Sequence, residues 1–321
     1  METVHVSMAS GGAYLGLHTS FWAHLERLPG GIAFRKSVTS YSGSSAGALA
    51  AVPLSRGIAG SAIMHNVASG GLGRFKTLRA IAVFLRLKKS MYSGTAYAAR
   101  LLRLCDTQTT FRSVPVSVAV TNQRFEQRCL RYNGFSTISR VVNAAVASAA
   151  IPFVFPAVDV SPEGKCVDGS VSRASFPEST IRQLFCNATG TVVLLNCVPW
   201  PGFHNTPTRQ GLTARLRNRY ADSLYDHGME GLTRNLHGFQ YKDGIFDVHL
   251  DNSSGQPRLS DAGELRVIFV APTSAQWDRC GGNDGIAMFD YTRSSAFIRK
   301  VTEQGRLMAR EFAIRYCSMS L

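Results

Sequence analysis

The sequence predicts an α/β protein whose mainly parallel sheet is flanked by helices. Short apolar segments typical of strands alternate along the chain with longer helix-like segments, and this alternation indicates a parallel sheet. With 45% hydrophobic and 17% charged residues, the 321-residue chain has enough apolar material for a packed core, which excludes a mostly disordered protein. We expect one domain over residues 1–321, with its core motifs within 4–177 and residues 200–321 completing or covering the same sheet.

The predicted strands are short apolar or alternating runs bounded by turn residues. Val4 and Val6 share one face of the first strand, and the second runs directly into Gly43. The Val-Val-Leu-Leu run at 192–195 is apolar on both faces, which is typical of an interior strand. The six predicted strands comprise residues 4–8, 37–42, 115–121, 127–132, 191–197 and 265–271, and the fourth is expected to pair with the third.

The predicted helices follow or separate these strands. Pro29-Gly30-Gly31 is expected to end the first helix, and the alanine-rich helix before Pro152 stops at the residues preceding that proline. The predicted helices comprise residues 14–28, 45–54, 74–89, 95–104, 136–149, 213–236 and 292–316. The segment 199–210, rich in Pro, Gly, Asn and Thr, is the expected exposed loop.

No segment of the sequence predicts a signal peptide or a membrane-spanning helix. Residues 1–7 alternate like a strand, and the most apolar segment, 141–158, is interrupted by polar residues and prolines. The seven cysteines are odd in number and lack C-x-x-C spacing, which does not support a zinc site or a disulfide scaffold. We expect reduced thiols and an intracellular protein, either cytoplasmic or peripheral on membranes or lipid droplets.

The positive charge is concentrated in one part of the chain. The formal net charge is +14, and between Arg27 and Cys105 there are twelve basic and no acidic residues. Such a region is expected to meet an anionic partner. Segment 74–89 places basic residues around an apolar centre, and these are predicted to face an anionic membrane: Arg74, Lys76, Arg79, Arg86, Lys88 and Lys89. The alternative is a cover helix whose apolar face belongs to the core. Nucleic acid is disfavoured, because no nucleic-acid-binding signature is present.

A G-x-S-x-G motif follows the second predicted strand and opens a helix of small residues. Its glycines, Gly43 and Gly47, would let strand and helix approach closely around Ser45. A serine at this sharp turn lies near a helix N-terminus, where developing negative charge is stabilised. The motif therefore predicts a nucleophilic serine.

A glycine-rich turn between the first strand and the first helix is the candidate oxyanion hole. Gly11, Gly12 and Ala13 follow the strand, and Gly16 lies in the helix. Small residues let backbone N–H groups approach a bound group. A dinucleotide loop is disfavoured, because Ala13 occupies a glycine position and no acidic residue follows on the next strand; a Walker A loop would need Gly-Lys-Ser/Thr.

The candidate general base is Asp168, at the end of a short predicted strand and before Gly169. An ordinary Asp-Gly turn is the alternative explanation. A histidine base is the rival chemistry, although the eight histidines lie in no recognisable triad context. Of these, His249 lies near Asp247 and Asp251 in a strand-like stretch.

The glycine loop, the G-x-S-x-G motif and Asp-Gly, in that order, resemble the patatin-like phospholipase family. The segment Ala147-Ser148-Ala149-Ala150-Ile151-Pro152-Phe153-Val154-Phe155-Pro156 also looks like that family's helix-to-loop segment. The resemblance covers about residues 4–177. It implies a three-layer α/β/α sandwich and a Ser-Asp dyad without histidine, metal or cofactor, and hence calcium independence.

Carried over residue by residue, the resemblance implies that Ser45 is the nucleophile and Asp168 the base. The N–H groups of Gly12 and Ala13, in a loop shaped by Gly11, would form the oxyanion hole. The chain departs from the family where Ala13 replaces a glycine and Leu15 a basic residue. The expected function is a lipid acyl hydrolase of the phospholipase A, lysophospholipase or acylglycerol lipase type. A catalytically silent lipid- or partner-binding protein and a Ser-Asp-His esterase are the alternatives.

Overall fold

Ten strands form a mixed sheet in the computed structural model, which describes residues 3–69, 90, 92–107, 109–172, 176–177, 180, 189–200, 242–251, 258–261, 263–279 and 295–317. The strands are β1 Val4–Met8, β2 Val38–Ser44, β3 Val116–Thr121, β4 Gln127–Tyr132, β5 Val158–Val160, β6 Gly164–Asp168, β7 Gly190–Leu195, β8 Phe246–Asp251, β9 Arg258–Leu259 and β10 Leu265–Val270. Their order is β5-β6-β3-β2-β1-β7-β10-β8-β9, with β4 on β3.

The centre of the sheet is parallel and its edges are antiparallel. Strands β3, β2, β1, β7 and β10 run in one direction, whereas β4, β6 and β8 pair antiparallel with their neighbours. Every residue of β1 and β7 is buried, as expected for interior strands covered on both faces. The predicted fold class, a mainly parallel sheet flanked by helices, is confirmed.

Eight α-helices accompany the sheet in the described part of the chain. They are α1 Leu15–Leu25, α2 Gly31–Ser37, α3 Ala46–Ser55, α4 Gly60–Ser69, α5 Thr95–Cys105, α6 Ile138–Ser148, α7 Ser274–Arg279 and α8 Ser295–Phe312. Short 3-10 turns cover Gly12–Tyr14 and Gly169–Ser172, and a π-helical turn, Ala313–Cys317, follows α8. Within the described ranges, no helix combines the length and apolarity needed to cross a bilayer.

Helix α8, near the end of the chain, packs tightly against α1, near its beginning. A Cβ on Gly305 of α8 would lie 2.7 Å from Ser20 Cβ of α1, so only glycine permits this approach. Phe312 contacts Phe21 and Phe34 in edge-to-face arrangements with ring centroids 5.5 and 4.9 Å apart. The early and late parts of the sequence therefore share one hydrophobic core.

The structure corrects several predicted boundaries. The helix predicted over 14–28 ends at Leu25, and the glycine pair expected only to end it also starts α2. Helices α4 and α7 were not predicted. The predicted helices 74–89 and 213–236, and residues 201–210 of the predicted loop, lie outside the described residues.

Candidate active site

Ser45 occupies a strained turn between β2 and α3. Its backbone angles, φ 52° and ψ −121°, lie in a region that side-chain-bearing residues rarely adopt. Close packing enforces the turn, because a Cβ on Gly43 would lie 2.5 Å from the Gly47 carbonyl and one on Gly47 2.1 Å from Met8 O. Strand β2 and helix α3 therefore approach as closely as the motif predicts, and Ser45 caps the helix.

Ser45 and Asp168 are in direct hydrogen-bond contact. Ser45 Oγ donates to Asp168 Oδ2 at 2.6 Å, within the range expected for a nucleophile and its base. Both residues are buried, with 3% and 1% of their surfaces exposed. The two residues are 123 positions apart in the sequence, and the sheet brings them together because Asp168 pairs with Val120 of β3, the strand beside β2.

The carboxylate of Asp168 is fixed by Ser170. Oδ1 accepts hydrogen bonds from Ser170 N at 2.9 Å and Ser170 Oγ at 2.6 Å, which leaves Oδ2 for Ser45. Burial raises the pKa of Asp168 above its ordinary value, and the hydrogen bonds from Ser170 and Ser45 offset part of that rise. A carboxylate with a raised pKa is a stronger base, which suits proton abstraction from a hydroxyl.

The backbone of Ser45 is held by Ser148, the last residue of α6. Ser45 N–H donates to Ser148 Oγ at 2.9 Å, and Ser148 Oγ in turn donates to Ala119 O of β3. All three residues are buried, so no solvent is at hand to replace either bond. This bridge ties the turn that carries Ser45 to the end of α6 and to the sheet.

A small apolar cleft, open to solvent, borders both Ser45 and the glycine loop. Gly12, with φ +52°, lines it together with Ser45. Side chains from four helices and from the loop after α6 form much of the wall, namely Leu15, Leu49, Tyr97, Val146, Ile151 and Phe155. The cleft is therefore suited to an apolar chain next to the serine hydroxyl.

A buried Cys–His contact forms the floor beneath the glycine loop. Cys197 Sγ lies 3.0 Å from His18 Nε2, and a Cβ on Gly11 would lie 2.5 Å from that sulfur. His18 Nε2 is 2.9 Å from Ala9 O, and a carbonyl only accepts, so this nitrogen carries the proton. Burial lowers the pKa of His18 to about 4 and raises that of the Cys197 thiol, so both groups are neutral near pH 7. The Cys197–His18 contact therefore packs against Gly11 and places no charge beneath the glycine loop.

The histidines considered as alternative bases lie elsewhere. His249 is on β8, with β10, β7 and β1 between it and β2, and its Nδ1 is 3.3 Å from Gly263 O. His5 contacts Ser40 and Ser42 on β2, and burial lowers its pKa to about 4. The described histidines named here therefore have partners other than Ser45.

Other predicted motif positions have structural explanations. A Cβ on Gly169 would lie 2.4 Å from Ala119 O, and one on Gly16 would lie 3.2 Å from Val301 Cγ1 of α8. The basic residues predicted to face a membrane, Arg74, Lys76, Arg79, Arg86, Lys88 and Lys89, lie outside the described residues. Their role stays a prediction.

Sequence reasoning did not anticipate the supporting contacts of Ser148, Ser170 and Cys197. Nothing in the alanine-rich sequence around Ser148 indicates that its hydroxyl contacts Ala119, 29 positions earlier in the chain. Ser170 offered one available signal, since a serine two residues after an aspartate commonly bonds to the carboxylate in a turn. No sequence signal indicated the role of Cys197, because its contact with Gly11 depends on β7 lying beside β1.

The fold and the site together define a class of protein. A buried serine at a strand-to-helix turn, bonded to a carboxylate on a neighbouring strand and bordering an apolar cleft, is the arrangement of an α/β protein with a nucleophile elbow. Ser45 Oγ contacts the Asp168 carboxylate directly, without a histidine between the two groups.

The chain belongs to the patatin-like phospholipase family. The model of this family, described as patatin-like phospholipase, matches residues 6–180, more than half of the chain. The predicted family is therefore confirmed. The matched region contains Ser45, Asp168 and the glycine loop.

Solved structures with a similar fold are distant in sequence. VipD from Legionella pneumophila is 13% identical with a TM-score of 0.40, and the match covers 97% of this chain and 67% of VipD. Human GIVD cytosolic phospholipase A2, solved in complex with methyl gamma-linolenyl fluorophosphonate, is 10% identical with a TM-score of 0.48. That match covers 99% of this chain but 58% of the human enzyme, so this chain spans less than two thirds of it. No curated protein matches the chain in sequence.

Proposed function

We propose that this protein hydrolyses carboxylic esters of lipids through a Ser45–Asp168 dyad and an acyl-enzyme. The observation that carries the proposal is the 2.6 Å hydrogen bond from Ser45 Oγ to Asp168 Oδ2 at the wall of an apolar cleft. The substrate is an ester of the phospholipid, lysophospholipid or acylglycerol type, as the family indicates.

The reaction begins with Asp168 taking the Ser45 hydroxyl proton while Oγ attacks the ester carbonyl carbon. The carbonyl electron pair moves to oxygen, and the backbone N–H groups of Gly12 and Ala13 stabilise the resulting oxyanion. When the intermediate collapses, the C–O bond to the alcohol breaks and the alcohol leaves with the proton held by Asp168. Water then attacks the acyl-enzyme with Asp168 again as base, which releases the fatty acid and restores Ser45.

The cleft supplies the selectivity for lipids. Its apolar wall would accommodate the acyl chain, and Ser45 and Gly12, which both line the cleft, would meet the ester carbonyl. Binding the chain there removes apolar surface from water, at about 25 cal/mol per Å². This gain favours esters with acyl chains long enough to fill the cleft.

Ester hydrolysis by matched variants tests the proposal. We expect Ser45→Ala to reduce hydrolysis of p-nitrophenyl butyrate to background and Asp168→Asn to reduce kcat by about 10²–10⁴-fold. His249→Ala should keep wild-type activity, since His249 lies across the sheet from Ser45. Circular dichroism and thermal melts of each variant establish that loss of activity is not loss of fold.

Three outcomes would contradict the proposal. Activity that survives Ser45→Ala would exclude the nucleophile, and activity lost in His249→Ala would favour the Ser-Asp-His alternative. A wild type inactive on every lipid ester, but able to bind fatty-acid-bearing probes in the cleft, would favour the catalytically silent alternative. That alternative has one sequence feature in its favour, the alanine at position 13 of the glycine loop.

A further inference from the structure

Two exposed phenylalanines share an unusual backbone conformation with the candidate nucleophile. Among the described residues other than glycine, those with positive φ are Ser45, Phe125 and Phe153. Phe125 and Phe153 have φ of 59° and 68° and are 74% and 75% exposed. A bulky side chain with positive φ is a genuine outlier, and strained residues cluster at functional positions. Neither burial nor backbone preference explains these two aromatic rings.

Phe125 lies at the end of the sheet that carries Ser45. It belongs to the hairpin that leaves the carboxyl end of β3, and β3 runs parallel to β2, whose carboxyl end leads into Ser45. The hairpin is fixed, because Asn122 Oδ1 accepts from the backbone N–H groups of Arg124 and Glu126 at 2.9 and 3.1 Å. Phe125 is therefore presented to solvent by a well-determined turn rather than by a loose loop.

Phe153 lies at the mouth of the cleft. It occupies the tip of a turn in which Val154 N–H and Phe155 N–H donate to Ile151 O at 3.1 and 2.9 Å. Ile151 and Phe155, on either side of it, line the cleft. The eight residues 151–158 are all apolar, and none of them is fully buried. Phe153 and Ala157 are exposed and the other six residues are partly buried, so two apolar side chains face solvent beside the cleft, as on an interaction surface.

We propose that Phe125 and Phe153 anchor the face around the cleft to a lipid surface, with their rings inserted among the acyl chains. The inference rests on the proposed function, because a substrate held in a membrane or droplet must enter the cleft from that surface. Phenylalanine is among the residues typical of apolar faces that are buried at the boundary between head groups and acyl chains. Arg124, exposed beside Phe125, is placed to meet lipid phosphate. A lipid surface can bind this apolar loop without having a shape complementary to it.

The chain contains a matched control for this proposal. Phe135 is 97% exposed but follows β4, whose last residue Tyr132 pairs with Val116 at the start of β3. It therefore lies at the opposite end of the sheet, roughly 17 Å away along a six-residue strand at about 3.3 Å per residue. Phe135→Ala removes a phenyl ring, as Phe153→Ala does, but leaves the face around the cleft unchanged.

Co-flotation with vesicles of phosphatidylcholine and phosphatidylserine tests the proposal, together with hydrolysis of soluble p-nitrophenyl butyrate. The double variant Phe125→Ala/Phe153→Ala should bind vesicles at least about tenfold more weakly, as expected for the loss of an inserted ring. High salt should not remove this difference. Phe135→Ala should bind as the wild type does, and all three proteins should hydrolyse the soluble ester equally.

Binding and hydrolysis report separately on the two claims. Vesicle binding that is equal in the double variant and in Phe135→Ala, or absent in the wild type, would overturn the lipid-surface proposal and leave a protein partner as the explanation of the exposed rings. Absence of soluble-ester hydrolysis in the wild type would instead contradict the proposed chemistry, and the binding comparison would still decide the role of the two phenylalanines.

Discussion

At the scale of single residues, Asp168 combines a functional advantage with a cost in stability. Burial raises its pKa, and the hydrogen bonds of Ser170 and Ser45 offset only part of that rise. A carboxyl with a raised folded-state pKa contributes stability that is fully present below the unfolded pKa and is lost as pH rises through the folded value. The ionised carboxylate that the proposed mechanism requires is therefore the form that stabilises the fold least.

Asp168→Asn should be more stable than the wild type above the folded pKa of Asp168 and equally stable below the unfolded value. The difference in the free energy of unfolding between the two proteins should grow with pH across that window, by about 1.4 kcal/mol for each pH unit between the two pKa values. Urea denaturation at a series of pH values measures it. The wild-type kcat/KM should rise with pH over a limb whose pKa exceeds the ordinary 3.8 of aspartate. A difference in stability that shrinks with rising pH would contradict this account of Asp168.

Ser148 is expected to position the nucleophile without touching the substrate. Ser148→Ala leaves Ser45 N–H and Ala119 O without their buried partner, which should lower the free energy of unfolding by about 1–3 kcal/mol. Because the turn at Ser45 loosens, kcat should fall while KM changes little. Steady-state kinetics on a soluble ester separates the two constants.

Ser55 provides the control for that experiment. It is the last residue of α3, as Ser148 is of α6, and its buried hydroxyl donates to Val52 O at 2.7 Å. Ser55→Ala should lower stability but keep kcat. An equal loss of kcat in both variants would reduce the role of Ser148 to a structural one.

The sequence contained enough to predict which residues meet in the site but not what holds them. Ser45 and Asp168 each lie beside glycines at the end of a strand, and that local signal carried the prediction. Ser148 and Ser170 act through hydroxyl groups whose partners depend on tertiary packing or on a single turn. Hydroxyl groups are common throughout the chain, so nothing in the pattern distinguishes Ser148, whereas the spacing of Ser170 from Asp168 offered a local signal.

At the scale of elements, the elbow depends on how closely β1, β2 and α3 approach. A Cβ on Gly47 would lie 2.1 Å from Met8 O, a backbone atom of β1 that cannot rotate away. Gly47→Ala should therefore destabilise the fold by about 3 kcal/mol or more, at the upper end of the cost of overpacking. Thermal unfolding measures this loss.

Gly134→Ala is the comparison, because its Cβ would meet nothing nearer than Ser113 Oγ at 3.5 Å. That variant should change the free energy of unfolding by less than about 1 kcal/mol. If both glycine variants proved equally stable, helix α3 would not be fixed against β1 as described.

The elements that the sequence failed to predict are stabilised by distant contacts. Helix α4 begins at Gly60, whose N–H donates at 2.8 Å to the carboxylate of Glu26, 34 positions earlier in the chain. Helix α2 follows Gly30, whose φ of 72° turns the chain so that a helix resumes at once. By contrast, β1, β7 and β10 were predicted closely, β1 from the alternation of Val4 and Val6 and the other two from their largely apolar runs.

At the scale of the whole molecule, the candidate site and the exposed rings of Phe125 and Phe153 lie at the end of the sheet where the parallel strands have their carboxyl ends, whereas Phe135 lies at the opposite end. The basic segment 74–89 lies outside the described residues, and its membrane role stays a prediction, as does the single-domain organisation.

Changing Arg79, Arg86, Lys88 and Lys89 to Gln should weaken binding to anionic vesicles at low salt, at roughly 1 kcal/mol per cation near the surface. Co-sedimentation at low and high salt measures it, and equal binding of both proteins would contradict the role of this segment.

The central claim is that Ser45 is a nucleophile activated by Asp168. Labelling with an alkyl fluorophosphonate, followed by mass spectrometry of the digested protein, tests it most directly, because the probe phosphonylates an activated serine without requiring the natural substrate to be known. The account predicts one phosphonylated peptide containing Ser45 in the wild type, about 10²-fold slower labelling in Asp168→Asn, and none in Ser45→Ala. Labelling at another residue, or a wild type that remains unmodified, would contradict it.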